Sequence, residues 1–213
     1  MNCLKPFDSA SSRTPTSGVL IACLLLAGCA TTGRVEVDLP ALGDWEQRRS
    51  LLADADDWSL TGRIGIRSDD DGFNARFRHT QDGRRFDATL SGPLGVGTIR
   101  VAGDTRAIVL TDKDGEQLTL SDPEADLLRL YGWTIPLDSL KYWALGIPDP
   151  AVAATPVIDD AGRLTSLEQR GWRVDIDRYR EYAGQQLPAR ITATSTTTRV
   201  RLVVDRWRFY DQP

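Results

Sequence analysis

The stretch Trp58-Ser-Leu-Thr-Gly-Arg-Ile-Gly-Ile-Arg-Ser-Asp-Asp-Asp-Gly-Phe-Asn-Ala-Arg-Phe77 decides the fold of this chain. Its first part has a period of two. Leu60, Gly62, Ile64 and Ile66 fall on one side of an extended backbone, with Thr61, Arg63 and Arg67 on the other. After Asp71-Gly72 the alternation resumes, with Phe73, Ala75 and Phe77 set against Asn74, Arg76 and Arg78. Asp-Gly supplies the positive φ that a tight hairpin needs, so the two runs are antiparallel neighbours.

The same grammar continues downstream. Phe86, Ala88 and Leu90 alternate with Asp87 and Thr89, and short strand-like runs follow at Ile99/Val101, Ile108/Leu110 and Leu118/Leu120. Asp82-Gly83, Gly103-Asp104 and Asp114-Gly115 mark the turns, so the first half reads as a meander. Pro123 to Tyr131 and Pro136 to Leu145 are predicted helices, each with proline near its start and glycine just past its end. Strands are then predicted over Arg163–Gln169, Gly171–Tyr179, Ala189–Thr196 and Arg199–Trp207. About ten strands on one sheet would curl, and two helices inserted midway could cap the open face. The expected class is therefore mainly β with inserted helices, an incompletely closed antiparallel sheet. Upstream, residues 41–57 with Trp45, Leu51 and Leu52 suit an amphipathic helix, and 30–40, small and polar, read as a tether. Residues 41–213 are expected to form one domain.

Composition narrows the function. The chain has 213 residues, 41% hydrophobic, with 30 acidic and 26 basic side chains for a net charge of −4. A basic nucleic-acid footprint is absent, and the apolar content is too high for disorder. No apolar run approaches the roughly 20 residues of a membrane span.

The three cysteines, Cys3, Cys23 and Cys29, all lie in the first 29 residues. Lys5 and Arg13 precede the apolar stretch 18–28, which is the pattern of a secretory signal. Its ending, Leu26-Ala27-Gly28-Cys29, resembles the bacterial lipobox, where cleavage falls before a cysteine carrying diacylglycerol. An ordinary signal peptide that meets a cysteine is the competing reading. The lipobox reading makes 1–28 the signal peptide and 29–40 the lipidated terminus and tether. The only prosthetic group it implies is covalent lipid, a diacylglycerol and an N-acyl chain on Cys29, and more than one chain makes anchoring stable. Asp after the lipidated cysteine retains a lipoprotein in the inner membrane; Ala30 here predicts the outer membrane.

Catalytic readings find few residues to stand on. The only histidine, His79, sits in a strand and reads as a surface or edge imidazole. No nucleophile-elbow serine or phosphate-binding loop is present. Asp69-Asp70-Asp71-Gly72 and Asp112-Lys113-Asp114-Gly115 lack the glutamate that closes a calcium loop, so they read as solvated turns. Neither an enzyme nor a metal site is expected. The six tryptophans (45, 58, 133, 143, 172 and 207) are taken for packing residues. Leu90-Ser-Gly-Pro-Leu-Gly-Val-Gly97 is less easily placed. Leu94 stands between Pro93 and Gly95 in a turn, where side chains normally face water. It either folds under its own loop or is exposed for use.

The order of motifs resembles the LolB family. The matching pieces are the lipobox at Cys29, Trp58–Ile66, Phe73–Phe77, Arg85–Gly95, Ile135–Trp143 with Leu145-Gly-Ile-Pro148, Gly171–Val174, Leu187-Pro188 and Arg201–Trp207. The resemblance spans nearly all of residues 45–207. It implies a LolA/LolB-like half-barrel, lidded by short helices over an apolar cavity that takes the acyl chains of lipoproteins in transit. It also implies an exposed loop residue that helps deliver them to the membrane. The Pro93-Leu94-Gly95 match places that role on Leu94. Implied partners are the periplasmic carrier LolA, lipoprotein cargo and outer-membrane phospholipid, with the domain facing the periplasm from the inner leaflet; a monomer is expected. Motif membership and strand parity nominate Ile64, Ile66, Phe77, Leu90 and Trp143 as cavity-lining, and a one-residue slip would invert that set. A basic surface would suit an acidic carrier, yet the domain is acidic overall. Arg63, Arg67, Arg76, Arg78, Arg84 and Arg85 are dense enough for a local patch. An assembly lipoprotein that only docks proteins, and a free-lipid binder on the same fold, remain the rival readings.

Overall fold

The computed structural model describes residues 34–68, 72–92, 97–131 and 134–211. A meander runs through β2 (Asp57–Ser68), β3 (Gly72–Asp82), β4 (Arg85–Ser91), β5 (Ile99–Gly103), β6 (Ile108–Thr111) and β7 (Gln117–Leu120). Two helices follow, α2 (Pro123–Tyr131) and α3 (Leu137–Leu145). A second meander comprises β8 (Thr155–Ile158), β9 (Leu164–Gln169), β10 (Trp172–Tyr182), β11 (Gln185–Thr194) and β12 (Thr198–Tyr210). The last strand pairs antiparallel with β2 from Thr198↔Ser68 to Phe209↔Trp58. The two meanders thereby form one curved sheet that ends at β7 on one side and β8 on the other and does not close.

Register confirms the parity read from the alternation. Ile66 lies opposite Val200 and Phe73, and Leu60 opposite Trp207 and His79. Ile66, Val200, Leu60 and Trp207 are all buried, whereas Arg63, Arg67, Arg199 and Arg201 on the other face are exposed.

Several elements depart from expectation. Within the stretch expected as tether, β1 (Glu36–Val37) pairs with Phe209 and Tyr210 at the edge of the sheet. It fills the flank of β12 that β11 vacates after Arg190↔Val203. Strand β11 starts at Gln185 rather than Ala189. It accommodates Pro188 because β12 is not laddered there, and Trp207 Nε1 donates to the free Pro188 carbonyl at 3.0 Å. Strand β8 has no counterpart among the predicted strands, because Pro156 within its four residues reads against a strand. Helix α1 (Trp45–Ala53) falls within the 41–57 segment, with Asp44 capping it through the Gln47 amide at 3.0 Å.

Helix α3 packs into both core clusters, and one side chain of β9 adds a polar latch. The buried Gln169 amide oxygen accepts from Trp143 Nε1 (2.8 Å) and the Asp149 amide (3.0 Å). Its nitrogen donates to the Asp149 (2.9 Å) and Val152 (2.8 Å) carbonyls. Trp143 is thereby fixed in a core cluster with Ile66, Leu164, Trp172, Val174, Ile191 and Val200. A second cluster, around Leu52, Trp58, Leu60, Ile147, Leu187 and Trp207, seats α1, where the buried Arg48 guanidinium donates twice to the Gln186 carbonyl.

Replacing Gln169 by Leu keeps the volume and orphans four groups, Trp143 Nε1, the Asp149 amide and the Asp149 and Val152 carbonyls. Each buried orphan costs about 1–3 kcal/mol, so urea unfolding should show a loss of about 4 kcal/mol or more. An unchanged midpoint would mean that α3 is held elsewhere.

Candidate apolar site

Both core clusters lie mainly on the β8–β12 half of the sheet and β2, with Phe77 of β3 packed at the edge of the second. The β3–β7 half is treated differently. Its helix-side face is a continuous apolar surface in two registered rows. One row runs Phe77–Leu90–Ile99, and the next runs Ala88–Val101–Leu110–Leu118. Both belong to the core face, because Phe77 lies opposite Gly62, which in turn lies opposite the buried Val204. At the far end α2 packs there through Leu127 onto Ile108 and Leu120, with Leu137 of α3 and Phe86, Val101 and Leu110 of the sheet packed around that contact.

The rest is left open. Phe73 is 42% exposed, Ile99 45% and Leu118 42%, and Leu90 is half-buried; Val101 and Leu110 lean on the Leu127 contact and Phe77 on the cluster around Trp58. Helix α2 also exposes Leu128 and Leu130. Single exposed apolar residues are ordinary, but a contiguous set marks a binding surface.

The nominated residues divide between the two halves. Trp143 and Ile66 are buried in the filled cluster beneath α3, and Ile64 packs partly against it. Phe77 and Leu90 border the open half. Phe73, Ile99, Val101, Leu110 and Leu118 were missed as site residues. The alternation that placed them in strands was the available signal, but their exposure depends on where α2 and α3 land.

Leu90↔Ile99 is the last registered pair of the β4–β5 hairpin, and Thr98 Oγ1 donates to Ser91 Oγ at 3.3 Å beside it. The hairpin loop therefore leaves from the rim of the apolar surface. Pro93, Leu94 and Gly95 in that loop lie outside the described residues, as does Cys29.

His79 is no surface imidazole. It faces the core side, stacked between Trp58 (ring centroids 4.9 Å apart) and Phe86 (5.6 Å), with Nε2 3.1 Å from Gln81 Oε1. Desolvation among these rings lowers its pKa to about 4, against a partial opposing effect of the Gln81 hydrogen bond. It is a neutral packing group.

Fold and site together define a helix-lidded half-barrel with an apolar surface left open under the lid side. The family model for the outer membrane lipoprotein LolB matches residues 56–207. LolB of Stutzerimonas stutzeri is 36% identical over 187 residues, covering 87% of this chain and 91% of its own length. LolB of Marinobacter nauticus is 34% identical over 205 residues, covering 90% and 98%. A crystal structure of a LolA superfamily protein from Nitrosomonas europaea superposes with a TM-score of 0.48 at 10% identity, covering 75% of this chain and 89% of that one. The chain belongs to the LolB family of outer-membrane lipoproteins. No helix among the described residues is long and apolar enough to cross a membrane.

The folded state holds His79 neutral while the unfolded chain protonates near pH 6.5, so the unfolded state binds more protons between these values. Stability from this group is complete above pH 6.5 and is lost as pH falls towards 4, by up to about 1.4 kcal/mol per pH unit. Melting temperatures of wild type and His79→Gln across that range should diverge, the variant showing the shallower slope. Parallel slopes would show that the ring is not desolvated.

Proposed function

We propose that the protein is the outer-membrane receptor that accepts lipoproteins from the periplasmic carrier LolA and passes them into the membrane. It acts by binding rather than catalysis, lodging cargo acyl chains on the open face of β3–β7. The observation that carries this reading is the run of exposed, same-face apolar residues from Phe73 and Ile99 to Leu118. A domain that only docked proteins is expected to have a filled core with no room for acyl chains.

The energetics suit a passive receptor. Each methylene removed from water is worth about 0.8 kcal/mol, so bare acyl chains cannot cross an aqueous space. Handover needs only a better-fitting surface in the receiver. A difference of about 1.4 kcal/mol biases the exchange tenfold.

The anchor in this reading is a diacylglycerol and an N-acyl chain on Cys29, with residues 1–28 removed and the domain suspended from the inner leaflet. Leu94, carried between Pro93 and Gly95 on a loop rooted at the rim, is the group that meets the bilayer when cargo leaves. Exposing a leucine forfeits about 1.5–3 kcal/mol of burial, which contact with acyl chains would restore.

Two measurements test this. The intact mass of protein extracted from membranes should show a chain starting at a triacylated Cys29; an unlipidated chain starting elsewhere contradicts the anchor. In reconstituted transfer from carrier to liposomes, Ile99→Glu should lower cargo binding, and Leu94→Glu should spare binding but lower release. Because a desolvated carboxylate is costly, each effect should be about tenfold or more, with melting temperature nearly unchanged. If Leu94→Glu unfolds the domain while Leu94→Ala transfers normally, the leucine is a core residue.

A further inference from the structure

The outer face of the sheet carries a feature that cargo binding does not use. Arg63 and Arg67 of β2, Arg76 of β3, Arg190 of β11 and Arg199 and Arg201 of β12 surround a cleft of about 720 Å³. Strand pairing assembles it, since Arg199 lies opposite Arg67, and Arg201 opposite Gly65. Gly65 leaves the floor open. A Cβ there would come within 2.7 Å of Asn74 Oδ1, its neighbour on β3.

The charge in the cleft is largely uncompensated. Arg63 has Asp205 at 3.4 Å and Arg190 has Asp177 at 3.7 Å. Among the described residues, no carboxylate pairs with Arg67, Arg76, Arg199 or Arg201, and Arg190 Nε is buried without a hydrogen-bond partner. Asp69, Asp70 and Asp71 follow Arg67 in the chain and lie outside the described residues. Gathering four free guanidiniums around a glycine-floored hollow does nothing for packing. Planar forks of this kind match the oxygens of phosphate.

We propose that this cleft binds phosphate groups of anionic phospholipid at the membrane surface, so that the domain lies with its outer face against the bilayer. The proposal rests on the lipid-anchored reading above. Chain length favours a membrane as the occupant. The five residue steps from Cys29 to Arg34 reach at most about 17 Å, so an anchored domain cannot stand far from the bilayer. Arg34 pairs with Asp57 at the start of β2, and the cleft begins six residues further along that strand, about 20 Å away. A domain tethered at one end of β2 brings the cleft to the surface by lying on its side. Ser91, where β4 ends and the Leu94 loop departs, also lines the cleft. The cationic contact and the loop that releases cargo thus share one end of the sheet.

The test is arginine footprinting with phenylglyoxal on the full lipidated protein, read by mass spectrometry. The protein is reconstituted in phosphatidylcholine vesicles with or without phosphatidylglycerol, and inorganic phosphate is added to the neutral vesicles as a separate arm. Each arginine near an anionic surface is worth about fivefold in affinity. Modification of Arg67, Arg76, Arg199 and Arg201 should therefore slow at least fivefold in anionic vesicles and recover at high salt, while Arg129 on α2 reacts equally in both. Equal reactivity in both vesicles overturns the proposal. So does equal protection by inorganic phosphate, or protection that appears only when the carrier is added. Cargo binding measured in the neutral vesicles is independent of the cleft, so failure here leaves the acyl-binding reading intact.

Discussion

The ladder between β2 and β12 is the constraint on which everything else depends. It joins strands some 140 positions apart in sequence and turns two independent meanders into a single surface. The pairing runs from Ser68 to Trp58 with one bulge, between Val204 and Arg206, which carries the inward positions of β12 from Val200, Leu202 and Val204 to Trp207 and Phe209 and keeps the apolar side of both meanders together. A slip of one residue would put Arg63 and Arg67 into the core and Ile64 and Ile66 into water. The same register gathers arginines from β2, β3, β11 and β12 on the outer face. Core and cationic cleft are two consequences of one alignment.

The lid is deliberately lopsided. Gln169 fixes Trp143 and the segment after α3 through four hydrogen bonds, and the cluster beneath is filled. On the β3–β7 half the contact of Leu127 with Ile108 and Leu120 gathers Phe86, Val101, Leu110 and Leu137, and Phe73, Ile99 and Leu118 stay partly exposed. Full burial of such a side chain is worth about 1.5–3 kcal/mol, and each forgoes a part of it that a closer lid would recover. The filled half supplies stability, which lets the open half stay receptive to an apolar ligand.

Much of this was legible beforehand, for local reasons. Period-two alternation, Asp-Gly turns and the proline and glycine that bracket α2 and α3 are short-range signals, and they located the strands of the first meander and both inserted helices. Features set by distant contacts were not legible. Strand β1 exists only because β11 leaves part of β12 unpaired, and β11 runs through Pro188 because no ladder bond is required there. His79 reads as a polar strand residue until Trp58 and Phe86 close on it from neighbouring strands. Phe77 and Leu90 could be nominated from parity, but whether a core-facing residue ends in the packed half or the open half is decided by helix placement, which parity does not encode.

The central claim is that acyl chains occupy the open face of β3–β7. It is tested most directly with a lipoprotein cargo carrying a photoactivatable group on an acyl chain, delivered to the receptor and cross-linked before release, with adducts mapped by mass spectrometry. The account predicts adducts concentrated on Phe73, Phe77, Leu90, Ile99 and Leu118. Adducts on the outer face, or beneath α3 around Trp143 with none on β4 and β5, would contradict it.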